Sequence, residues 1–101
     1  MKITKQNIID WSKIHPYSDD PQDRILKIGN NDVIFSIVGG RRGFYGDFIN
    51  SFEVAVIDRK TDEFMTKFFF PDFGQDVFGH MGGDELANVL TNFFQKGFQI
   101  Y

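Results

Sequence analysis

Ile8, Trp11 and Ile14 fall three residues apart near the start of the chain, with polar residues between them. That spacing predicts an amphipathic helix from Lys5 to His15. Thr4 stands at the N-cap position, and Ile3 and Ile8 are placed to staple across it. Pro16 sets the limit, because the residue before a proline is pushed out of helical geometry. Tyr17 to Asp23, polar and acidic, reads as an exposed connection.

Beyond this point the period shortens to two. Arg24 to Ile28 and Val33 to Val38 flank Gly29-Asn30-Asn31-Asp32, whose residues tolerate the positive φ of a tight turn, so a hairpin is expected. After Gly39-Gly40-Arg41-Arg42-Gly43, a longer segment from Phe48 to Asp58 alternates Phe52, Val54 and Val56 with Glu53, Ala55 and Ile57. The even positions are expected to face the core. Glu63 to Phe70 reads as a returning strand, with Phe64, Phe68 and Phe70 on one face, Met65 and Phe69 on the other, and Pro71 ending it. On that reading an uncovered Phe69 beside Met65 would leave an apolar docking patch.

Pro71 to Gly83 holds four glycines and no helical period, and reads as a long ordered loop pinned by Phe73, Val77 and Phe78. The last helix is expected from Asp84 to Lys96, with acidic residues in its first turn, Lys96 in its last and Gly97 beyond. Leu86, Val89, Leu90, Phe93 and Phe94 form its apolar face, and Phe98 is placed to pack back over its end. The element order is α-β-β-β-β-α, with connections too short for parallel crossovers. The expected fold is therefore α+β: an antiparallel four-stranded meander with an N-terminal and a C-terminal helix, forming a single domain over residues 1–101. Whether the helices share one sheet face is open to either answer at this level.

Composition narrows the function classes. Thirteen phenylalanines supply a large apolar area for 101 residues, so burial needs neither disulfide nor metal. The absence of cysteine rules out thiolate zinc sites and cysteine nucleophiles, and fits a reducing, cytoplasmic setting. No segment nears the roughly 20 apolar residues of a membrane span, and the charged N-terminus lacks the apolar run of a secretion signal. A net charge of −3 argues against general attraction to nucleic acid or anionic lipid.

Three clusters carry candidate chemistry. Arg41, Arg42, Phe44 and Tyr45 on a glycine-rich loop combine phosphate-gripping and base-stacking groups, and define a nucleic-acid reading. The opening Arg42-Gly43-Phe44 resembles part of the RNA-recognition signature, but Tyr45-Gly46 departs from it and the strand order differs. The lysine and hydroxyl residue of a phosphate-binding loop do not follow these glycines. His80, with Asp76 and Asp84 four residues to either side, defines a small-enzyme or metal reading, although two histidines give no ligand spacing of the usual kinds. Asp72, Phe73, Asp76, Phe78 and His80 form an acidic and aromatic set, and no Lys or Arg occurs between Asp72 and Gln95. Such a stretch suits a basic surface on a protein partner. An uncovered strand edge, finally, would suit homodimerisation.

Size, lack of cysteine, the Asp72 to Glu85 acidic stretch and the Phe52 to Phe70 segment resemble the small acidic proteins of phages and mobile elements, among them anti-CRISPR inhibitors. That resemblance is of type, with no shared motif, and it implies a non-enzymatic inhibitor that covers a basic nucleic-acid groove. The leading expectation is thus a cofactor-free protein-binding module acting through residues 71–85, with nucleic-acid binding and His80-centred chemistry as alternatives.

Overall fold

The computed structural model describes residues 1–41, 44–72 and 74–101. The first helix, α1, runs over Lys5–Trp11. Thr4 caps it as expected: its hydroxyl accepts from the Asn7 amide, while the Asn7 side chain accepts from the Thr4 amide. The helix ends before the Pro16 limit. Ser12 donates its hydroxyl to the Ile9 carbonyl, and the Arg24 guanidinium binds both the Ser12 hydroxyl and, at 2.8 Å, the Ser12 carbonyl. The chain then enters a two-residue strand, β1, at Lys13–Ile14. Ile14 therefore sits half-exposed on a sheet edge rather than in a helical stripe.

β2 (Arg24–Gly29) and β3 (Val33–Gly39) form the expected hairpin, in register from Arg24 opposite Gly39 to Gly29 opposite Ile34. The Asn30 side chain organises the turn by accepting from the Asp32 and Val33 amides. β4 (Ser51–Asp58) pairs with β3, and its even positions Phe52, Val54 and Val56 are fully buried, as the alternation requires.

The returning strand expected over residues 63–70 is corrected. Phe64 forms one isolated bridge to Ile57, and residues Thr66–Phe69 make a single helical turn, α2. Thr66 explains the change. Its fully buried hydroxyl accepts from the Val56 amide at 2.9 Å and donates to the Asp76 carbonyl, while the Met65 amide donates to the Val56 carbonyl. The edge of β4 is satisfied there by one side chain and one amide, so a further strand has no place. The facing is corrected with it: Phe69 packs edge-on against Phe35, 5.3 Å between ring centres, and Phe68 is exposed. No Phe69–Met65 docking patch exists, because both side chains lie against the core.

The long loop expected over residues 71–83 is also corrected. It contains β5 (Phe78–Gly82), antiparallel to β4, and α3 (Gly83–Phe93) follows directly. The pairing Phe52–Met81 and Val54–Phe78 sets three steps on β5 against two on β4, so Gly79 and His80 form a bulge. His80 takes a φ of 56° there, a left-handed value costly for a residue with a side chain. Beyond Gly97, Phe98 packs back onto Trp11 and Phe94, and β6 (Gln99–Ile100) pairs with β2.

The antiparallel sheet thus has the order β1-β2-β3-β4-β5, with β6 sharing the outer edge of β2 with β1 at its opposite end, in place of the expected four strands. Among the described residues there are three helices rather than two. α1, α2 and α3 all contribute to one core that also holds Leu26, Phe35, Val54 and Met81, so the two end helices share a sheet face. Among the described residues no helix covers the other face. No helix among the described residues is long and apolar enough to cross a membrane.

Candidate functional site

The corrected strand and loop place the acidic and aromatic residues on two sides of the sheet. On the helix side, where α2 ends and α3 begins, Phe69, Phe70, Pro71 and Phe78 line a cleft of about 380 Å³ together with Asp72 and Glu85. Phe78 faces this way because it stands opposite Val54 on the core face of β4. Its ring meets Phe70 edge-on, 5.2 Å between centres. The Asp72 and Glu85 side chains are exposed at the cleft. Asp76 lies nearby but faces Lys67, with 3.7 Å between the charged atoms, and its backbone is held by Thr66. Of the expected set, Asp72 and Phe78 therefore come together, Asp76 is adjacent, and Phe73 lies outside the described residues.

His80 goes elsewhere. The bulge turns it from the cleft toward Tyr45, whose carbonyl accepts from the His80 amide at 2.6 Å and whose ring lies 6.0 Å from the imidazole. Gly79 permits this approach, since a Cβ added to it would lie 2.8 Å from the Tyr45 Cβ. Asp84 lies in the first turn of α3, and among the described residues no three His, Asp or Glu side chains are grouped to hold a metal ion.

Of the Gly/Arg/aromatic loop, Arg42 lies outside the described residues. Arg41 is exposed and faces Asp20 at 3.6 Å, while its amide donates to the Asp23 carboxylate at 2.7 Å. Buried Asp23 also accepts from the Ser18 hydroxyl at 2.6 Å, which fixes the loop base. Gly40 completes that base: its φ is +150°, and an added Cβ would meet Asp23 Oδ1 at 2.2 Å. Phe44 lies half-buried against His15, 5.2 Å between ring centres, whereas Tyr45 is exposed. Of the described residues, Arg41, Phe44 and Tyr45 thus point to different surroundings rather than forming one stacking platform.

A second recess lies on the helix-free face of the sheet. Ser36, Val38 and Ala55 floor a groove of about 350 Å³ that is also lined by His15, Phe44, Glu53, Ile57, Phe64 and Val77. Strand register sets its two ends. Val38 opposite Glu53 lies toward His15 and Phe44, and Ile34 opposite Ile57 lies toward Phe64. Glu53 accepts from the Tyr45 amide, but burial dominates and holds its carboxyl above the ordinary value of 4.5 despite the neighbouring His80. Sequence reasoning placed Glu53 among the odd positions of an alternating strand, and counted Glu85 in the acidic stretch and in the first turn of the last helix without naming either as a site residue. The one available signal was a carboxylate between Phe52 and Val54 on a face that also carries apolar Val38, Ala55 and Ile57.

Compared with known proteins, the chain matches no family model, no curated protein and no solved structure. The fold itself sets the class: an α+β protein built on one antiparallel sheet, with helices on one face and an open groove on the other.

Proposed function

We propose that the chain is a small protein-binding module without catalytic chemistry of its own, and that its partner inserts basic side chains into the cleft of Phe70, Asp72, Phe78 and Glu85. One observation carries this reading. Two exposed acidic residues line one cleft with three phenylalanines, and no Lys or Arg is among the residues lining it. An arginine or lysine entering it would gain ring-face attraction of about 0.5–2 kcal/mol and a carboxylate at the same time. The stem of either side chain would lie along Pro71 and the rings. In its narrower form, the partner is a nucleic-acid-handling protein whose basic groove the module covers, as small phage inhibitors do. The uninterrupted lack of Lys and Arg from Asp72 to Gln95 supports that form, because such a surface steers toward positive charge.

The test is charge reversal. Asp72→Lys/Glu85→Lys is expected to keep the thermal melt of the parent chain and to lose capture of its partner from host lysate, with wild-type capture weakening as salt rises. Capture at the parent level by the reversed variant would remove the cleft from the account.

A further inference from the structure

We infer that the groove on the helix-free face of the sheet is a binding site for a small organic cation, a primary amine carried on an apolar body. The groove is independent of the cleft on the helix side, since the two share no lining residue. Its volume of about 350 Å³ falls within the range of small-ligand sites, which are mostly apolar with a few polar groups that fix orientation. The lining has that composition: Val38, Phe44, Ala55, Ile57, Phe64 and Val77 provide apolar contact, and Glu53 is the carboxylate among them.

The state of Glu53 indicates what is missing. Burial withdraws water from its carboxylate, and among the described residues the Tyr45 amide and His80 answer it without offsetting the desolvation. An ammonium group brought by a ligand would supply a further counter-charge. Its apolar body would then lie over Ser36 and Ala55, where small side chains leave room, toward the Phe64 end of the groove.

The shape selects a small occupant over a second sheet. His15 and Phe44 pack together at one end and half-exposed Phe64 stands at the other, so a flat partner surface would rest on these rims above the floor. Among the described residues, the titratable groups around Glu53 are His80 on β5, Tyr45 ahead of β4 and His15 after β1, with Lys27 of β2 opposite Ser36 farther across the same face. A cationic ligand should therefore bind best where Glu53 is ionised, above the acid range.

The probe is phenethylamine, compared with phenethyl alcohol, its uncharged counterpart, in titrations read at the Tyr45 backbone amide that donates to Glu53. At neutral pH the amine is expected to bind at least about tenfold more tightly than the alcohol, a difference of about 1.4 kcal/mol. Glu53→Gln, which keeps an acceptor for the Tyr45 amide, should erase that preference. Asp19→Asn, an exposed carboxylate change in the loop before β2, should preserve it. Equal binding of amine and alcohol, no binding of either, or a preference that survives Glu53→Gln would overturn the assignment. The amine–alcohol comparison on the parent chain stands even where a variant fails to fold.

Discussion

On the helix side of the sheet, Phe35 lies fully buried among Phe69, Phe93 and Phe94; on the other side, one residue along, Ser36 floors an open groove. Both faces come from the same alternating strands, so alternation alone does not decide which is sealed. What decides it is the supply of cover. α1, α2 and α3 bring their aromatic and aliphatic side chains to one face, while among the described residues the groove on the other has the His15–Phe44 pair, Phe64 and Val77 at its margins. The sealed face is the source of stability, and the margins are free to be shaped for contact.

The comparison is broken most severely by Phe35→Ala. Removing a fully buried ring that touches three others should cost about 3–5 kcal/mol, seen as a lower denaturation midpoint in urea. The matching change on the open side, Phe64→Ala, should cost less than about 1 kcal/mol, because that ring is already 52% exposed. Comparable losses for the two would mean that the faces are not divided as described.

Between these in size lies Thr66→Val. The replacement keeps the shape but takes the acceptor from the buried Val56 amide and the donor from the Asp76 carbonyl, so a loss of about 1–3 kcal/mol is expected. Amide exchange should quicken at Val56 in particular. An unchanged exchange rate there would show that Thr66 is not what closes the edge of β4.

Thr66 also marks where the sequence ceased to be legible. The hairpin, the inward set Phe52, Val54 and Val56, the Thr4 cap and both end helices are local features, and local pattern revealed them. The segment from Phe64 to Phe70 alternates well enough to pass for a strand, and only a long-range hydrogen bond from β4 turns it into one helical turn. β5 was hidden for a related reason. Its glycines and the positive φ of His80 suit a bulged edge strand, yet in a linear reading they signal a loop. The candidate site was legible in kind, since Asp72 and Phe78 do share a cleft. The addition of Glu85 and Phe70, and the departure of His80 to the opposite side, follow from that unread strand.

The smallest expected effect is on pH dependence. The Glu53 carboxyl titrates above its ordinary value of 4.5 in the folded chain, so between the two values the fold binds more protons than the unfolded state. Its contribution is complete below the ordinary value and is lost as pH rises through the folded one. Glu53→Gln should flatten that slight decline in stability, measured as denaturation midpoint against pH. Asp47 acts in the opposite sense: amides of Ile49, Asn50 and Ser51 hold its carboxyl below 3.8, so its support is lost as pH falls beneath that value. A wild-type profile that rises with pH through the range above 4.5, with no change in Glu53→Gln, would contradict the burial of Glu53.

The central claim, that the acidic–aromatic cleft on the helix side is a docking surface for basic protein side chains, is tested most directly by mapping amide shifts. The ligand would be a short peptide alternating arginine and leucine, titrated at low salt. The account predicts shifts concentrated at Phe70, Asp72, Phe78 and Glu85 that disappear in Asp72→Lys/Glu85→Lys. Shifts scattered over every exposed carboxylate, or gathered around Asp19, Asp20 and Asp62 instead, would contradict it.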